Sequence, residues 1–174
     1  MSGYNMLEKL KCLEESGKLY KMIIGAIPKV WHTVDINYRP PHVERIWCRV
    51  GDDQINLHCI HPCNEGVAFF HPHPWASAIH AIDGYEMGIG RINERTPEPL
   101  AIIELAAGSY YSMENPNGMH YVRPVNRPNH SVMISSPPWK WHQEKPQGKI
   151  PLPHLNENRI VELMSYFENY YRDF

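Results

Sequence analysis

The segment FFHPHPW, residues 69–75, sets His71 and His73 one residue apart and follows each with a proline. Alternate side chains of an extended segment share a face. His71 and His73 therefore point the same way, joined by Phe69, while Phe70, Pro72 and Pro74 point the other. Two imidazoles about 7 Å apart along such a backbone can converge on one cation. Proline fixes a backbone torsion and removes a donor, so little freedom is left to lose on binding. The competing readings are a pH-responsive surface and a pair of histidines hydrogen-bonded inside a core.

A third ligand has to come from elsewhere in the chain. GSYYSMENPNGMH, residues 108–120, reads as a strand, a turn and a histidine. Asn117-Gly118 is a strong hairpin signal, and it folds the chain back so that His120 opens a strand beside its predecessor. LHCIHPC, residues 57–63, also invites a metal reading, with Cys59 and Cys63 beside His58 and His61. Structural zinc wants four ligands, usually as two separated pairs, and no second pair follows. On a strand Leu57, Cys59 and His61 share one face, so packing explains the cysteines.

GVAFFHPHPWASAIHAIDG (66–84) and GSYYSMENPNGMHYV (108–122) resemble the first and second motifs of the cupin superfamily. The resemblance implies a small jelly-roll β-barrel that binds a divalent metal through His71 and His73 of the first motif and His120 of the second. Gly84 matches the glycine that ends the first motif, and Pro116 and Gly118 match the turn of the second. The family usually adds a glutamate four or five residues after the paired histidines, where this chain has Ser77 and Ala78. Asp83 lies too far along the strand to replace it, and His80 has the opposite parity to Ser77. A three-histidine set is what the resemblance then implies.

Three neutral imidazoles would leave a divalent ion its full charge, which favours an anionic chelating substrate. Imidazole suits several metals, so ligand type alone does not choose one; the resemblance makes Fe(II) the first expectation and leaves Zn, Ni, Mn and Cu open. Cupin dioxygenases acting on thiols and on β-diketones are similar in using three histidines and ferrous iron. The thiol enzymes add a downstream Ser-His-Tyr set, of which NHSVMI offers only His130 and Ser131. The expectation is a metal-dependent cupin enzyme, a non-haem Fe(II) dioxygenase of a small anionic organic molecule. The alternatives are a metal-dependent isomerase or lyase of a sugar or keto acid, and a non-catalytic ligand-binding or sensor module. Tyr110, Tyr111 and Glu86 are the candidate acid–base residues, and Trp75, Ser77 and Phe69 the candidate substrate contacts.

The surrounding elements have to position these residues. Leu7, Leu10, Leu13, Tyr20, Ile24 and Ile27 recur at helical steps, predicting a helical segment over 5–27 that Ser16-Gly17 can break and Pro28 ends. Ile160, Leu163, Met164, Phe167 and Tyr171 predict a second helix over 157–173, capped by Asn156 or Asn158. Between them, short alternating stretches separated by turn residues predict an all-β core over about 30–137. VERIWCRV opposes Ile46, Cys48 and Val50 to Arg45, Trp47 and Arg49, so both arginines are expected to meet solvent. Arg123 is outward by parity with His120. WKWHQEK, residues 139–145, is read as a lid or a dimer contact within a C-terminal tail and helix over 138–174.

The length of 174 residues suits one cupin domain over 1–174. The net charge of −2 gives no electrostatic reason for nucleic acid or anionic membrane as a partner. No apolar run approaches a spanning helix and the N-terminus turns charged at once, so a cytoplasmic protein with four reduced cysteines is expected. A small-molecule substrate and a homodimer complete the expected partners.

Overall fold

A computed structural model of the chain describes residues 5–93, 96–139 and 151–174. Most of WKWHQEK, including His142, lies outside the described residues.

Two short helices open the chain. Helix α1, Met6–Glu15, starts in a capping box: the Asn5 side chain accepts from the Glu8 amide at 2.8 Å and the Glu8 carboxylate accepts from the Asn5 amide. Gly17, at φ 66°, breaks the helical run where Ser16-Gly17 predicts it. Helix α2, Lys18–Ile23, follows and stops short of the expected end, because Gly25 also takes a left-handed conformation. The C-terminal helix α3, Glu157–Arg172, is capped by Asn156, whose side chain accepts from the Arg159 amide.

Among the described residues, ten strands lie between the helices. They are β1 (His32–Ile36), β2 (Val43–Val50), β3 (Asp53–Ile60), β4 (His71–Pro72), β5 (Ser77–Ala81), β6 (Tyr85–Asn93), β7 (Thr96–Leu105), β8 (Ser109–Met113), β9 (Gly118–Arg123) and β10 (Asn129–Ser135). Strand β3 pairs with β10, β4 with β9, β5 with β8 and β6 with β7, all antiparallel. These nested pairs are one long hairpin rolled over on itself, the connectivity of a jelly roll. The result is a six-stranded sheet in the order β1-β2-β3-β10-β5-β8 and a four-stranded sheet in the order β4-β9-β6-β7. Strand β1, which alternates Val34 and Ile36 with Thr33 and Asp35, lies inside the expected β region. Residues 66–70, expected to extend the first histidine strand, do not pair, and β4 is two residues long. Pro72 and Pro74 have no amide to give a ladder, which limits pairing there.

The helices pack on the outer face of the larger sheet. Leu10, Leu19, Met22 and Phe167, all fully buried, meet Ile46, Cys48, Ile55 and Leu57 from β2 and β3. Burying one such side chain contributes roughly 1.5–3 kcal/mol, so this layer is a large share of the stability. The apolar face of β2 thus points outward under the helices, and its polar face points between the sheets. A smaller apolar cluster of Ile60, Ala81, Tyr85, Met87 and Val122 fills part of that interior. Among the described residues no helix is long and apolar enough to cross a membrane.

Candidate metal centre

His71 on β4 and His120 on β9 are directly opposite each other in the ladder between the two strands. His73 follows two residues later, so all three rings reach one point between the sheets. Ring centroids are 5.4 Å apart for His71 and His73, 5.0 Å for His71 and His120, and 4.6 Å for His73 and His120. One nitrogen from each ring lies within 4.8 Å of its counterparts in the other two.

Hydrogen bonds decide which His71 nitrogen is available and orient the His73 ring. The Phe69 carbonyl can only accept, so His71 Nδ1 carries the proton that bonds to it at 2.9 Å, and Nε2 keeps a lone pair. His73 Nδ1 lies 3.2 Å from the Ser77 hydroxyl, which leaves its Nε2 facing His120 Nε2 at 3.0 Å. His120 Nδ1 is buried with no partner among the described residues. Two nitrogens that are each about 2.1 Å from one ion and at right angles to it stand about 3 Å apart, so the pair fits a shared cation. Burial lowers all three imidazoles: His73 to about 3, with the neighbouring His71 and Arg45 charges adding to the effect, and His120 well below its ordinary value. At neutral pH the three rings are uncharged and offer lone pairs.

The cluster lies on the wall of a cavity of about 350 Å³, within the usual range for small-molecule sites. Phe69 and Trp75 both line it. The Phe69 ring is parallel to His71 at 5.5 Å and carries the Arg39 guanidinium 4.4 Å above it. Ser77, expected as a substrate contact, is fully buried and is not among the lining residues; its side chain contacts His73. Tyr111 also lines the cavity, with its hydroxyl 2.8 Å from that of Tyr85. Burial raises both phenols.

Two candidate acid–base residues lie elsewhere. Tyr110, one residue from Tyr111, faces the helices, where its hydroxyl donates to Glu14 at 2.7 Å and its ring stacks on His80. His80 bonds the same carboxylate at 2.8 Å, so it too points away from the cavity. Glu86 is on the outer face of β6, held by Arg123 at 2.8 and 2.5 Å and by Tyr121 at 3.0 Å. Alternation explains both: Tyr111 and Tyr85 point inward, so Tyr110 and Glu86 cannot.

One cavity residue goes against the sequence expectation. Arg45, expected in solvent, lines the cavity, and its Nε donates to His58 Nε2 at 2.9 Å. His58 Nδ1 in turn lies 3.4 Å from the buried Ser131 hydroxyl. Arg49 alone meets solvent as predicted. The error came from taking the apolar face of β2 as the inner one, when the helices cover it from outside.

Cys59 and His61 form a second cluster with Glu44. Arg159 sits against it, with Nη2 2.7 Å from the Glu44 carboxylate and 3.4 Å from Cys59 Sγ. The positive charge a metal would bring is already present. Burial and the Glu44 charge push the Cys59 thiol up to about 12, so it stays protonated.

No protein-family model and no curated protein matches the chain. Among solved structures it is similar to hydroxypropylphosphonic acid epoxidase from S. wedmorenis, at 10% identity over 62% of this chain and 55% of that one, with a TM-score of 0.46. It is also similar to AerE from Microcystis aeruginosa, at 17% identity over 62% of this chain and 46% of that one, with a TM-score of 0.47. A structure of Fe(II)-HppE with the alternative substrate (S)-1-HPP matches at 12% identity over 53% of this chain and 49% of that one, with a TM-score of 0.43. The match spans about half the length of each of these chains.

Proposed function

We propose that the chain is a metal-dependent enzyme, a non-haem Fe(II) dioxygenase of a small anionic organic substrate, with His71, His73 and His120 as the metal ligands. The observation that carries this reading is the meeting of three neutral imidazoles on the wall of one cavity, two of them with facing Nε2 atoms 3.0 Å apart. An ion held by three uncharged ligands supplies a strongly Lewis-acidic centre with open positions and, as Fe(II), electrons for reaction with dioxygen.

The chain's own residues do the rest. The Phe69 carbonyl fixes the tautomer of His71, and Ser77 orients His73. Phe69 and Trp75 line the cavity beside the histidines. Tyr111 offers a hydroxyl to a bound substrate and, held protonated by burial, acts as a hydrogen-bond donor. An isomerase or lyase would need a general base beside the ion. Glu86 and Tyr110 point elsewhere and the Tyr111 phenol is a poor base, which supports the oxygenase reading.

Oxygen uptake by the Fe(II)-loaded full chain, measured against a panel of keto acids, diketones and aromatic acids, tests the proposal. Uptake that is substrate-dependent and absent in His73→Ala is the expected result. Substrate turnover under nitrogen would replace the proposal with the isomerase or lyase alternative.

A further inference from the structure

The cavity holds positive charge with nothing in the described protein to balance it. Arg45 and Arg39 are both on its wall with four histidines, and among the described lining residues there is no aspartate or glutamate. Arg39 stands at the exposed side over Phe69, whereas Arg45 is half-buried beside His58. The one hydrogen bond of the Arg45 side chain among the described residues runs from Nε to the neutral His58 ring, so neither Nη group has an acceptor among those residues.

A guanidinium drawn out of water and given only a neutral partner is costly, and the usual remedy is an anion. Burial lowers the Arg45 guanidinium to about 10, which still leaves it charged at neutral pH. The bond to His58 also selects the geometry. With Nε occupied, the side-on approach is closed and the end-on edge formed by Nη1 and Nη2 stays open. That edge matches the two oxygens of a planar carboxylate in a bidentate, charge-assisted pair. Ile79 and Met133 from the same sheet and Val122 from the other add apolar wall, so the rest of the ligand has to be apolar and compact.

We infer that the substrate is a small monocarboxylate with an apolar body, gripped end-on by Arg45, with His58 and Ser131 as positioning residues that hold the guanidinium in place. The inference deepens the proposed function and rests on its reading of the cavity as the substrate site.

The test is a calorimetric titration of the full chain, dialysed against chelator so that no ion can anchor the probe. The probes are benzoate and benzamide, which share a shape and differ in charge. Wild-type protein is expected to bind benzoate at least tenfold more tightly than benzamide. Arg45→Met is expected to erase that preference, and Arg45→Lys, which keeps the charge and loses the fork, to reduce it several-fold. Tyr110→Phe, which lies under the helices and away from the cavity, is expected to keep it. Absence of a benzoate preference in the wild type, whether from equal binding or from none, overturns the inference without needing any variant. An undiminished preference in Arg45→Met also overturns it. Either failure alongside His73-dependent oxygen uptake would leave the proposed function standing, so the two claims fail separately.

Discussion

His73 Nε2 and His120 Nε2 face each other at 3.0 Å across the gap between a proline-stiffened segment and strand β9. Two bare imidazole nitrogens at that distance repel unless a proton or a cation lies between them. The hydroxyl of Ser77, 3.2 Å from His73 Nδ1, holds one of the two rings in this pose. Replacing Ser77 with alanine is expected to weaken metal binding about tenfold, the usual effect of losing a ligand's outer hydrogen-bond partner. Competition against a chromogenic chelator measures it, and unchanged affinity would remove Ser77 from the site.

The reassignment of the two tyrosines predicts opposite effects of the same change. Tyr110→Phe removes a bond to the buried Glu14 carboxylate and is expected to cost about 1–2 kcal/mol of stability while leaving turnover within about twofold. Tyr111→Phe acts inside the cavity and is expected to lower turnover. Thermal unfolding and oxygen uptake on both variants decide it. A large loss of turnover in Tyr110→Phe would contradict the assignment.

Glu44 and Arg159 join α3 to the larger sheet. Burial raises the Glu44 carboxyl, but hydrogen bonds from Arg159 and His61 outweigh that and hold it down at about 2. A carboxyl with a depressed folded-state pKa adds stability above its unfolded pKa and loses it as pH falls toward the folded value. Wild-type stability is therefore expected to lose this contribution between about pH 5 and pH 2. Arg159→Ala leaves the carboxylate buried without its partner and is expected to cost about 3 kcal/mol at pH 7, with a shallower acid limb. Urea unfolding across pH measures both.

Gly84 closes the turn between β5 and β6 in a space that admits no side chain. A Cβ there would stand 2.5 Å from the Leu105 carbonyl oxygen and 3.1 Å from the Ala107 amide nitrogen, both backbone atoms. Gly84→Ala is expected to cost about 2 kcal/mol or more, since overpacking against backbone cannot be relieved by a rotamer change. A urea midpoint equal to wild type would contradict this close approach.

The sequence made the histidines legible because alternation and a hairpin turn are local rules, and the β4–β9 register brings His71 and His120 together as those rules require. The helix break at Gly17 and the start at Asn156 were legible for the same reason, because these residues act through their immediate neighbours. What was not legible was which side of β2 and β3 is the inside. Their apolar faces pack against helices from both ends of the chain, a long-range contact that alternation cannot reveal. Arg45, the direct partner of His58 in the β2–β3 ladder, was consequently expected in solvent. A signal did exist: amphipathic helices at both termini need an apolar sheet face to cover, and that face cannot also line a cavity.

Elemental analysis of the full chain, purified without chelator and set against His73→Ala and His120→Ala, bears most directly on the metal centre. The account predicts about one divalent ion per wild-type chain, as expected for a site with three protein ligands, and less than about a tenth of that in either variant. Wild-type protein that binds no stoichiometric ion, or variants that retain it while still folded, would contradict it.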